Sequence, residues 1–101
     1  MKAFDHNALD DVIHGRARLG IMAFLSTAGE GDFVALREAL KLSDGNLSTH
    51  VAKLEEAGYV RVTKRFAGKK PQTSVALTPA GRKAYVAYLD QLKQLLKNSG
   101  G

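Results

Sequence analysis

Residues 42–60 read Leu-Ser-Asp-Gly-Asn-Leu-Ser-Thr-His-Val-Ala-Lys-Leu-Glu-Glu-Ala-Gly-Tyr-Val. Ser43 stands where a helix needs an N-cap. Leu47, Val51 and Leu54 follow at spacings of four and three, which is one apolar stripe at helical period. Gly58 ends the run where a left-handed φ is commonly required. On a wheel of about 100° per residue, Gly45, Thr49, Ala52 and Glu56 lie opposite the stripe. Ser48 falls on one flank, Asn46 and Lys53 on the other. The first half of this helix therefore turns outward only small or hydrogen-bonding side chains, so its backbone can come close to whatever it meets.

Just upstream, Asp32 can cap a shorter helix whose inward residues are Phe33, Leu36 and Leu40. Leu42–Ser43 leaves almost no linker between the two. A pair of amphipathic helices joined this tightly predicts a helix-turn-helix over residues 32–58. Further upstream the pattern is helical from Phe4 to about Ala28, in two pieces. Leu9, Val12 and Ile13 mark an N-terminal helix within residues 1–15, and Arg16 to Thr27 makes a second. Ala28–Gly29–Glu30–Gly31 reads as a loop.

Downstream of Gly58 the period changes to two. Val60 and Val62 alternate with Arg61 and Thr63, and a second alternating run occupies Thr73–Leu77. Between them lies the polar turn Ala67–Gln72, so residues 59–77 predict a β-hairpin with a cationic tip. Thr78 and Pro79 then suit the N-cap and first position of a last helix, residues 78–97, before a flexible tail at 98–101. The predicted architecture is mainly α with a small β-hairpin, in the order α-α-α-α-β-β-α, one domain over residues 1–97.

Charge is segregated along the chain. No acid occurs from residue 57 to 89, a segment holding Arg61, Lys64, Arg65, Lys69, Lys70, Arg82 and Lys83, although the whole chain has 10 acids against 15 Lys and Arg. A local positive field of this kind suits a polyanion. The hairpin cations can equally act as gatekeepers on an exposed strand edge, but adjacent lysines at a projecting turn form a natural backbone clamp. We expect Lys69 and Lys70 on phosphate or minor groove and Arg61 as a flanking contact. Ser43 and the free N–H groups of the first turn suit a phosphate oxygen, while Asp44 complements the helix dipole but repels phosphate. His50 sits at the edge of the apolar stripe, where packing and phosphate contact both remain open.

The run 42–60, the basic stretch Lys64–Pro71, the following Leu77–Arg82 and the pattern Arg16–Leu19–Ile21 together resemble winged-helix regulators of the ArsR/MarR type. They are similar above all to the small stand-alone winged helix DNA-binding domain proteins of bacteria and archaea. The likeness runs from about Phe4 to Leu95. It implies a dimeric transcriptional regulator with the helix at 43–57 in the major groove. On that pattern the DNA contacts are Ser43, Asn46, Ser48, Thr49, His50 and Lys53, and the wing contacts are Lys64, Arg65, Lys69 and Lys70. Gly45, on the outward face, joins them from the wheel.

In the last helix Tyr85, Tyr88, Leu89, Leu92, Leu95 and Leu96 form an apolar band wider than a compact core can cover. The expected cover is the same helix of a second copy, with Leu9, Val12 and Ile13 at its side. Phe4, Tyr85 and Tyr88 can line a pocket or belong to the core, and the sequence names no small-molecule effector. With no cysteine and only His6, His14 and His50, the chain offers no strong metal set; His6, Asp10 and His14 have a weak helical spacing and read as surface polar residues. No cofactor is expected, and no nucleophile–base set or phosphate-cradling glycine motif marks an enzyme. The longest apolar run, Ile21–Leu25, is far short of the roughly 20 residues that span a bilayer. The start of the chain, with Asp5, His6 and Asp10, is unlike a secretion signal, so a cytoplasmic location is expected. The competing expectation is a winged-helix protein–protein interaction module without specific DNA binding, against which the lysine-rich tip argues.

Overall fold

The computed structural model of the chain describes residues 9–99. They form α1 (Arg16–Ala28), β1 (Glu30–Asp32), α2 (Phe33–Leu40), α3 (Asp44–Glu56), β2 (Val60–Ala67), β3 (Lys70–Leu77) and α4 (Pro79–Ser99). The strands make one antiparallel sheet in the order β1-β3-β2. This is the mainly helical winged helix-turn-helix that the sequence predicts.

The stripe Leu47, Val51 and Leu54 is buried, and it meets Ile21, Met22 and Leu25 of α1 and Leu36 of α2. Val60, Val75 and Tyr88 bring the sheet and α4 onto the same core. Each such side chain contributes about 1.5–3 kcal/mol relative to exposure, so this core sets the attitude of α3.

Backbone groups at the helix ends are satisfied as the local chemistry requires. Ser43 Oγ accepts the Asn46 N–H at 3.1 Å, and the Asp32 carboxylate accepts that of Val34 at 3.1 Å. At the far end of α3, Gly58 has φ +82°, Tyr59 N–H donates to the Leu54 carbonyl and Gly58 N–H to that of Glu55, both at 2.9 Å. This is a Schellman closure. Thr78 Oγ1 accepts the Gly81 N–H at 2.9 Å and donates to the Gly58 carbonyl at 2.6 Å. A Cβ at Gly81 would collide with the Tyr59 carbonyl, so only glycine lets α4 lie this close to the α3–β2 junction.

Three local features depart from the sequence reading. The expected N-terminal helix is absent from its described part. Asp10 Oδ1 instead accepts the Val12 and Ile13 N–H groups at 2.8 and 3.4 Å, an Asx turn that competes with helix. Leu9 and Ile13 insert into the core from this turn at 7% and 0% exposure, and Tyr88 joins them at 3%. These three cannot face a second chain, because their own chain encloses them. Phe4 and His6 lie outside the described residues.

The second departure is β1, at a position that the sequence reads as loop. Glu30, Gly31 and Asp32 pair with Ala76, Val75 and Ser74 of β3. A Glu-Gly-Asp strand has no apolar alternation to read, and it forms because β3 offers an unpaired edge there. The third is the wing's length. Its strands run on until Ala67 pairs with Lys70, leaving Gly68–Lys69 as a two-residue turn with φ +67° at Gly68. Positive φ at the first turn position alone is the type II′ geometry. Pro71 stands opposite Phe66, beyond the end of β1, so its missing N–H deprives no ladder partner.

Candidate nucleic-acid interface

Gly45, Asn46, Ser48, Thr49 and Lys53 are all exposed along α3. Thr49 Oγ1 donates to the Gly45 carbonyl at 2.9 Å, which fixes its rotamer while its oxygen stays open to a donor. Asp44, at the start of α3, is not a bare charge. Arg37 Nη1 of α2 meets its carboxylate at 2.8 Å, and Arg37 Nη2 lies 3.7 Å from Glu38. The bond to Asp44 and its negative charge raise the Arg37 pKa above its ordinary value. The acid that the sequence made awkward beside a phosphate therefore carries its own counterion.

Strand alternation sorts the wing into two faces. Val60, Val62, Lys64 and Phe66 share one with their partners Leu77, Val75, Thr73 and Pro71. The inner half of this face is core. Its outer half, at Lys64 and Thr73, borders a groove of about 400 Å³ shared with Ser48, Ala52 and Glu55 of α3. Phe66 continues the same face at 73% exposure. The opposite face carries Arg61 and Arg65, and Arg65 Nη2 lies 3.7 Å from Glu30 of β1. The fold thus brings Lys64 to α3 and puts Lys69 and Lys70 at the tip. It holds Arg61 and Arg65 on the far side, one of them paired.

His50 is half-buried on the flank of α3 opposite the wing, with Nδ1 3.5 Å from Arg18 Nη1. It borders a cleft of about 710 Å³ together with Arg16, Arg18 and Lys41. Sequence reading passes over these three cations. One clue is available, since Lys41 sits at the end of α2 where glycine is the usual residue.

His14 and Asp10 are engaged elsewhere. His14 Nδ1 lies 2.9 Å from the Tyr88 hydroxyl. Asp10 Oδ2 accepts from the Tyr59 hydroxyl at 2.5 Å, which together with burial pushes the Tyr59 phenol up to about 12. Among the described residues no group of three or more His, Cys, Asp or Glu side chains is placed to hold a metal ion.

Comparison with known proteins accords with this geometry. An uncharacterized protein of Methanocaldococcus jannaschii is 36% identical over 87 residues, which is 86% of this chain and 95% of the relative. The structure of a transcriptional regulator homologue from Pyrococcus horikoshii OT3 superposes with a TM-score of 0.82 at 32% identity, covering 86% of each chain. A MarR-family transcriptional regulator from Silicibacter pomeroyi shares the fold alone, with a TM-score of 0.65 at 23% identity over 82% of this chain and 55% of its own. The family of winged helix DNA-binding domains matches residues 17–96, and the chain belongs to it.

Proposed function

We propose that the protein is a transcriptional regulator that reads double-stranded DNA sequence as a homodimer. In this reading α3 enters the major groove and residues 64–73 of the wing lie along phosphate and minor groove. One observation carries it: an exposed helix face of Gly45, Asn46, Thr49 and Ala52 stands beside a sheet-borne cationic finger that turns Lys64 toward it. Short side chains let the helix backbone approach base edges, and Asn and Thr reach them with hydrogen bonds. The lysines supply the sequence-independent hold. The regulator homologue from Pyrococcus horikoshii, at 32% identity, supports the regulatory role.

The homodimer rests on α4. Tyr85 and Leu92 are only partly covered by the core, and Val86, Leu89 and Leu96 are 52%, 40% and 64% exposed. With Leu95 they leave an apolar band along the helix, Val86 being a member that the sequence reading does not include. Val12, half-buried, is what is left of the N-terminal contribution. A twofold axis along α4 would set two recognition helices about one DNA turn apart and favour a pseudo-palindromic operator. Among the described residues no helix is long and apolar enough to cross a membrane, and the reading is of a cytoplasmic, non-catalytic protein.

The test is selection of bound duplexes from a random pool, then titration of the winner against scrambled DNA. A recurrent pseudo-palindrome bound tightly at moderate salt is the expected result. Lys69→Ala with Lys70→Ala should weaken binding to every duplex and flatten the log–log salt slope by about 0.9 for each phosphate no longer neutralised. Absence of any complex would overturn the reading in favour of an adaptor that binds protein.

A further inference from the structure

The cleft beside His50 has the composition of an anion site. Arg16, Arg18, Lys41 and His50 border it, and none of its lining residues is acidic. The N-terminus of α1 opens onto it with Gly15 as N-cap, no side-chain cap and no acid in the first turn. Its N–H groups and the positive end of its dipole are therefore left for an outside acceptor. Arg18 Nε is buried without a hydrogen-bond partner. Such a group is costly to leave unmet; through Nη1 the same guanidinium lies 3.5 Å from His50 Nδ1, and Arg18 also borders a groove with Asp11 and Glu56.

Lys41 supplies an independent sign. It ends α2 at φ +54°, and it is the one non-glycine residue with positive φ among the described residues. The N–H of Leu42 donates to the Arg37 carbonyl at 3.1 Å across it, a closure that ordinarily uses glycine. A lysine held in this strained conformation, on the border of a cationic cleft, suits a functional constraint better than a folding one.

We propose that this cleft receives a backbone phosphate of the duplex bound by α3, on the side away from the wing. On α3, Ser48 and Glu55 border the groove shared with the wing, whereas His50 borders this cleft on the other flank. A helix seated in the major groove has a sugar–phosphate strand on each side. The wing takes one, and Arg16, Arg18 and Lys41, with the α1 N-terminus, take the other. The proposal rests on the DNA-binding reading above and adds its second anchor.

The experiment measures duplex affinity by fluorescence anisotropy between about 50 and 200 mM salt for the wild type, Lys41→Gly, Arg16→Ala and the Lys69→Ala/Lys70→Ala wing variant. Lys93→Ala on α4, with the same loss of charge, serves as control. Each cleft variant should lower the salt slope, by at most about 0.9 for the one phosphate held there, so that the fall in affinity across this range shrinks by up to about 3.5-fold. Lys93→Ala should leave the slope unchanged. Lys41→Gly also relieves the left-handed strain, so its melting temperature should match or exceed the wild type while binding weakens, a combination a purely structural lysine would not give. Unchanged slopes for Lys41→Gly and Arg16→Ala, with the wing variant still flattened, would overturn the second anchor and leave DNA binding standing. No wild-type complex would overturn both. Inorganic phosphate added to the protein alone separates a free-anion site: a melting-temperature rise abolished by Lys41→Gly, with an unchanged DNA slope, would also overturn the proposal.

Discussion

Replacing Tyr59 by phenylalanine isolates the tie between the N-terminal turn and the junction of α3 with β2. The Tyr59 hydroxyl donates to Asp10 at 2.5 Å, and its pKa rises from 10.0 to about 12 because the protonated phenol holds that carboxylate. A raised folded pKa means the protonated form favours the folded state. The contribution is therefore whole below about pH 10, declines as pH climbs from 10 toward 12, and is gone above that. Two pKa units correspond to about 2.7 kcal/mol, which solvent screening of a partly exposed side chain reduces to roughly 1 kcal/mol. Tyr59→Phe should accordingly lower the unfolding free energy by roughly 1 kcal/mol near neutral pH, and the gap should close at strongly alkaline pH. Urea unfolding followed by far-ultraviolet circular dichroism, on both proteins at each pH, gives the difference directly. Lysine deprotonation acts on both chains and cancels. A gap of constant size from neutral to alkaline pH would show that Tyr59 acts through packing alone.

Asn46→Ala or Thr49→Ala should cut the preference for operator over scrambled duplex by about 1–3 kcal/mol at little cost to nonspecific binding; equal losses on both duplexes would remove direct base reading. Leu89→Glu should give monomers by light scattering at low micromolar concentration, since Leu89 is 40% exposed on α4 and contributes little to the core; a persisting dimer would move the interface elsewhere. Arg37→Met should weaken duplex binding by about 3-fold or more by baring Asp44, and adding Asp44→Asn should restore it. Failure of the second change to rescue would make Arg37 itself the DNA contact.

The core and α3 are legible in the sequence because their signals are local and periodic. Leu47, Val51 and Leu54 spell a helical stripe, and Ser43, Gly58 and Thr78 mark ends through chemistry that acts within a few residues. What escapes depends on distant partners. Glu30–Asp32 becomes a strand only because β3 is there to pair with it. Leu9 and Ile13 show the apolar spacing of a helix, yet Asp10 captures the backbone N–H groups that a helix would need, and the same side chains plug the core from a turn. Sequence places Tyr88 in the right helix but cannot say which part of a broad band the core consumes. Likewise, counting cations along the wing cannot tell Lys64, turned toward α3, from Arg65, held by Glu30 on the far face.

The closeness of α4 to the α3–β2 junction has a mechanical corollary. Thr78 links Gly58 to Gly81, and the Tyr59 carbonyl lies under the first turn of α4, so α4, α3 and β2 meet at one root. The 21 residues of α4 make a lever about 31 Å long. In a pair joined along the outer part of that lever, a tilt of roughly 6° swings the root by about 3.4 Å, the rise of a single nucleotide step. If two α3 helices read DNA as proposed, a molecule or sequence change that merely re-angles the two rods would slip them out of phase with their target without touching a side chain that faces the bases.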